Sequence, residues 1–394
     1  MKFDAQTYRM TDTGSWGKTA LVIGVVGIVA TAAGLLVDTR QFFFSYLTAY
    51  TFCLTLALGG LFFTMLHHLV GATWSVVMRR VSETVMYVLP PLAILFLPIA
   101  FGLHDLYHWS HPDIVAADEL LQKKQVYLNA GFFFVRAAIY FISWILLAWS
   151  LYRASIRQDA GHTEEQVKSM RKISAGGMVL FAITVTFASF DWLMSLEAHW
   201  YSTIFGAYVF SGGVMGALAF MTAIAILLPR HGVLENVITI EHWHDLAKLT
   251  FAFAIFWAYM AFSQYLLIWY ANVPEETIWF QHRWVGSWKI ISLIIVFGHF
   301  VIPFFFLITR AAKRKFGPLL FVSLWLVLMH WVDIYWIVMP AFSQEGANIS
   351  WMDPAALLGV GGLAFWYFWK RLSSQPLVPV SDPALSDSIR FTNT

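Results

Sequence analysis

The sequence predicts an all-α integral membrane protein of about ten spanning helices, on three observations. Of its 394 residues, 59% are hydrophobic and only 12% charged, about half the charged share of a soluble globular chain. The apolar residues gather into runs long enough to cross a bilayer, which takes ~20 residues of helix. No run shows the two-residue alternation of a membrane barrel, and helices are the other means of pairing every backbone polar group in lipid. The composition also excludes some partners and cofactors. A net charge of +2, from 25 basic and 23 acidic residues, offers no broad basic surface for nucleic acid. The single cysteine, Cys53, lies in an apolar run, so no intrachain disulfide, covalent haem attachment or cysteine-held iron–sulfur cluster is expected. The first 17 residues are polar, without an apolar core before a cleavage site, and insertion is expected to rely on the mature helices.

Helices are expected near 18–37, 42–69, 82–103, 127–152, 172–196, 203–228, 243–271, 286–309, 318–340 and 353–372. Nineteen of the 25 Lys and Arg fall at the two termini and in the loops after helices 2, 4, 6 and 8, against five in the opposite loops. The positive-inside rule then puts both termini in the cytoplasm. The opposite side carries Trp109, Trp200, Trp279, Trp284, Trp288 and Trp351, an interfacial belt that a large outer-face partner can also use.

Helices 2 to 5 and 6 to 9 read as two copies of one unit. Ala49-Tyr50-Thr51-Phe52, with Phe62 and Thr64 beyond, recurs as Ala207-Tyr208-Val209-Phe210 with Phe220 and Thr222, a constant shift of 158 residues. Asp191 in helix 5 and Asp333 in helix 9 follow the basic loops at similar distances. An even number of helices per copy makes the repeat parallel, unlike the inverted repeats of many transporters. The expected division is 1–41 for the N-terminus and first helix, 42–202 and 203–352 for two four-helix bundles, and 353–394 for the last helix and tail.

Ionisable groups in apolar spans must face the protein interior and find partners, since each costs roughly 2.5–3.5 kcal/mol in the bilayer centre. Arg136 and Asp191 lie in the outer half of consecutive antiparallel helices. They are expected to pair, either as a sealed ion pair or as a proton-carrying, ligand-orienting couple. His330 and Asp333, three apart on one helix face, and His299 at mid-depth are relay candidates. At the inner ends stand His67, His68 and Glu83 in the first unit and His242, His244, Asp245 and Lys248 in the second. Neighbouring residues differ by ~100°, so only one of His67 and His68 is expected to face inward. These groups suit separate outer and inner proton half-paths, closed at mid-membrane by Phe, Leu and Ile. His299 and His330 differ in depth and do not suit haem, and the paired Glu-x-x-His of a di-iron bundle is missing. The spacing of His104, His108 and His111 is metal-like, but the segment reads as a docking loop and no metal is expected. Glycine clusters at Gly59-Gly60, Gly176-Gly177, Gly212-Gly213-x-x-Gly216 and Gly359-x-Gly361-Gly362 mark close helix approach, and no nucleotide motif follows a strand.

This arrangement, with the run from Phe190 to Gly206 (FDWLMSLEAHWYSTIFG), resembles the NrfD/polysulfide-reductase-like membrane subunits. It is most similar to the F-type subunits of alternative complex III, a quinol:electron-acceptor oxidoreductase. The resemblance implies a respiratory complex of the bacterial cytoplasmic membrane, with haem and iron–sulfur subunits on the outer face and a sister ten-helix subunit beside this one. It also implies quinone, possible menaquinone included, as the substrate, with the better-supported quinol pocket in the sister. Any quinone site in this chain is expected at Arg136 and Asp191. The rival reading is a secondary transporter, which calls for interrupted helices around a midplane site. Pro90-Pro91, Pro98 and Pro303 can interrupt helices but are not at matched positions in the two units.

Overall fold

A computed structural model describes residues 4–10, 13–161, 163–231 and 234–393, with Arg230 and His231 by backbone alone. It is 79% helical, with no strand among the described residues, an all-α multi-pass membrane protein. Nine described helical stretches are long and apolar enough to cross a membrane. A tenth helix, which carries Asp353, Lys370 and Arg371, completes the bundle.

Helix α1 (Trp16–Ala33) is followed by α2 (Thr39–Val70), whose first turn is capped by Asp38 accepting from the Gln41 N–H at 2.9 Å. It ends at Gly71, where φ of +60° needs a residue without a Cβ. The expected third helix is broken into Arg79–Met86, Leu89–Leu95 and Leu97–Phe101, together α3. Pro90, Pro91 and Pro98 lack the N–H that a continuous helix needs. The hydroxyls of Tyr46 and Tyr50 donate to the Leu95 and Leu92 carbonyls at 2.7 and 3.0 Å, pairing backbone in this interrupted stretch. Next come α4 (Ala130–Asp159), α5 (Glu164–Trp192), α6 (Phe205–Leu227) and α7 (Ile240–Ala271). Helix α8 runs from Trp288 to Ile308 with a π-helical segment at Ile295–Val301 just before Pro303. The Trp325 indole donates to the Gly298 carbonyl there at 2.7 Å. Helices α9 (Phe316–Val338) and α10 (Met352–Leu372) finish the bundle. The breaks in α3 and α8 fall in different members of the two units.

The apolar content has two destinations. Helices α2 and α6 form the centre, with 83% and 89% of their most apolar stretch inside the protein, against 22% for α7, whose apolar surface faces lipid. Small residues set the central contact: a Cβ on Gly59 would stand 2.5 Å from the Ala217 Cβ, and one on Gly213 would meet Thr55. Helices α1 and α10 pack along each other at the edge, where a Cβ on Gly27 would lie 2.4 Å from the Gly359 nitrogen and one on Gly24 would meet Leu363 at 2.7 Å. The Leu377 N–H reaches the Tyr8 carbonyl at 2.8 Å, so both ends of the chain lie on one face, called here the termini face.

Candidate functional site

Near the opposite face each unit buries one carboxylate. In the first, Asp191, the penultimate residue of α5, accepts from Arg136 Nε and the Tyr140 hydroxyl, both at 2.7 Å on the same oxygen. Arg136 also donates to the Tyr127 carbonyl at 2.8 Å and lies over the Tyr127 and Phe132 rings, 3.9 and 4.3 Å from their centroids. The predicted pair is therefore formed, and closed. A small space of about 30 Å³ between α2, α4, α5 and α6 is lined by Trp144, Trp192 and Phe210 rather than by the pair. It has room for a water and touches neither Arg136 nor Asp191.

In the second unit Asp333 of α9 accepts from the Tyr208 hydroxyl of α6 and from the Trp257 indole of α7, the latter at 3.0 Å. No Lys or Arg pairs with it among the described residues. His299 comes closest of the histidines, Nδ1 being 4.0 Å from the carboxylate, and neither of its ring nitrogens has a hydrogen-bond partner among the described residues. Its ring packs against Trp257, tilted by 48°, with centroids 4.2 Å apart. His330 shares the interior face with Asp333, as its spacing predicts, but turns to α2 and bonds the Thr55 hydroxyl at 2.8 Å. Gly212 and Gly216 make that possible, since a Cβ on Gly216 would stand 2.8 Å from the His330 ring. The tertiary arrangement thus gives Asp333 the neighbour His299 instead of His330.

The second unit also holds a buried arginine that the sequence reading leaves in a loop. Arg283 donates to Glu197 at 2.8 Å and to the carbonyls of Trp279, Trp336 and Ile337 at 2.8, 3.1 and 2.7 Å. Glu197 belongs to the first unit's last segment and also bonds His282 at 2.9 Å. Beside this clamp, between α7 and α8, a cleft of about 900 Å³ opens to the lipid-facing side.

On the termini face, Asp245 pairs with Lys248 at 2.5 Å and accepts from Asn393 at 2.9 Å, while His242 reaches the Ser388 carbonyl at 3.0 Å. Glu83 is buried against Arg80 at 2.9 Å, and Arg80 also bonds Asp159 at 2.5 Å. His67 bonds Ser75, and both His67 and His68 line a small polar hollow with Arg79. The expectation that only one of them faces inward fails because the chain after Gly71 folds back over the helix end. Arg79 holds Asp382 of the tail at 2.6 Å. Burial alone raises that carboxyl, but Arg79 and bonds from Ala384 and Gln158 outweigh it and hold it below the ordinary 3.8.

Along α7 no ionisable group lies between Lys248 and Trp257. Asp245 and Trp257 are twelve residues apart, roughly 18 Å of helix, so the two polar clusters of the second unit are separate. In the His104 loop the rings of His104 and His111 stack 3.6 Å apart, and no three potential ligands converge on a metal-sized site among the described residues. The residues missed by the sequence reading are chiefly neutral donors: Tyr208, Trp257, Tyr140 and Thr55. Only Tyr208 carried a signal, as the repeat partner of Tyr50. No family model matches the chain, and no curated protein shows significant similarity to it.

Proposed function

We propose that this protein is a membrane subunit without a redox centre of its own in a quinol:electron-acceptor oxidoreductase of the NrfD-like kind, seated in the bacterial cytoplasmic membrane with both termini inside. The carrying observation is the asymmetry of its two buried carboxylates: Asp191 is locked to a cation, while Asp333 is held only by neutral donors beside an unpartnered histidine. A carboxyl without a fixed counter-charge can take up and release a proton where one closed by arginine cannot. In this reading Asp333 and His299 serve an outer half-path, Asp245 and Lys248 an inner one, and the ~18 Å between them keeps resting leak low. Quinol oxidation is assigned to the sister subunit, as the resemblance to alternative complex III implies. The unmatched helix breaks speak against a transporter built on repeated broken helices. Purification in mild detergent tests the reading: haem-bearing, iron–sulfur and sister ten-helix subunits should co-migrate with this chain. A chain that migrates alone and drives solute uptake in vesicles would overturn it.

A further inference from the structure

We propose that the cleft between α7 and α8 is a binding site for one glycerophospholipid; Tyr208 and Trp257, which hold Asp333, form part of its wall. The cleft runs from Ile255 to Asn272 on α7, roughly 25 Å of helix at 1.5 Å per residue, the reach of an extended acyl chain and much longer than a ring. Its deep walls are apolar, with Ile255, Val296 and Phe300, and its upper end is polar, with Asn272, Thr277 and Gln281. That gradient matches a lipid lying parallel to the helices, tail inward and headgroup at the face opposite the termini.

Two polar groups point to the same occupant. Gln264 is only 3% exposed; its amide oxygen accepts from Ser202 at 3.1 Å, but its amide nitrogen has no partner among the described residues. That nitrogen opens to the cleft, where an ester or glycerol oxygen of a lipid would accept from it. Lys289 stands 5.4 Å from the ring of Trp284, which lines the upper end, and has no acidic partner among the described residues. Lys289 is exposed and stands outside the cleft's wall, where a lipid phosphate at the mouth would give it a counter-charge and a neutral ring with a hydrocarbon tail would not. A bilayer-facing cleft of this size is filled in the membrane, and these groups select what fills it.

The test is lipid analysis by mass spectrometry of the protein, with whatever subunits accompany it, after extended washing in mild detergent. Wild type should retain about one phospholipid per chain at this site. Ala261→Trp, which fills the cleft, should remove it, and Gln264→Leu, which keeps the bulk and removes the donor, should lower retention several-fold. Lys289→Gln should weaken any preference for anionic lipids. Unchanged phospholipid in both Ala261→Trp and Gln264→Leu would overturn the proposal, as would a wild type that retains stoichiometric isoprenoid quinone and no phospholipid. Co-migration of partner subunits is read separately in the same preparation, so failure of the lipid site and failure of the complex assignment are told apart.

Discussion

The two four-helix units each bury one arginine and one aspartate near the face opposite the termini, and they spend the arginine differently. In the first unit Arg136 neutralises Asp191 within the unit. In the second, Arg283 is drawn across to Glu197 of the first unit and to three backbone carbonyls, and Asp333 is left to Tyr208 and Trp257. The same inventory thus yields a sealed ion pair in one unit, and in the other a clamp between units plus a carboxyl free to exchange a proton. Position alone does not decide what a buried carboxylate does; the destination of the nearest guanidinium does.

The largest effect expected from this contrast is on stability. Arg136→Met strands Asp191 in a low-dielectric interior and should cost ~3–5 kcal/mol, read as a large drop in melting temperature in detergent. The double change with Asp191→Leu should recover much of that loss. If Arg136→Met is no worse than a change at Asp333, the distinction between the units collapses. Tyr208→Phe removes one donor from a buried carboxylate and should cost roughly 1–3 kcal/mol, while the equivalent Tyr50→Phe frees only the Leu92 carbonyl and should cost less. Asp333→Asn keeps the shape, and Tyr208 can turn its hydroxyl to accept from the new amide, so stability should fall by about 1 kcal/mol or less. Proton translocation per electron in reconstituted complex should nevertheless drop; an unchanged ratio in an intact Asp333→Asn complex would return Asp333 to a structural role.

The smallest effect lies on the termini face, where one tail serves both units. Asp382 is held below its ordinary value, so its contribution to docking the tail is complete above pH 3.8 and is lost as pH falls through the lower, folded value. Limited proteolysis of the tail should therefore be unchanged between neutral pH and pH 5, and Asp382→Asn should make the tail easier to cut at all these pH values.

Spans were legible because a bilayer demands ~20 apolar residues of helix and, without the two-residue alternation of a barrel, leaves helix as the way to pair the backbone. Pro90, Pro91, Pro98 and Pro303 announced trouble, but whether a proline kinks a helix, splits it or provokes a π segment depends on neighbours such as Tyr46 and Trp325 that supply the missing bonds. The Arg136–Asp191 pair was legible because two opposite charges at one depth on adjacent antiparallel helices have few other options. His330 shares the helix face with Asp333 as its spacing predicts, but a shared face does not specify a partner, and its partner Thr55 lies 275 residues away in sequence. Arg283 was passed over because, near a loop, an arginine normally dissolves in water; here four backbone and side-chain acceptors enclose it.

The seam between α1 and α10 has a consequence for biosynthesis. Gly24 and Gly27 meet Gly359 and Leu363 backbone to backbone, so the first helix to leave the ribosome finds its main packing partner only when the last one has been made. Until then α1 stands in lipid with its glycine groove uncovered, and Ser45, whose hydroxyl bonds Asp353 at the start of α10 at 2.5 Å, waits for its acceptor as well. The seam between α1 and α10 is consequently closed only after both four-helix units have been made. A chain arrested before residue 352 holds both four-helix units but an open edge, and that edge is what membrane quality control would recognise as unfinished.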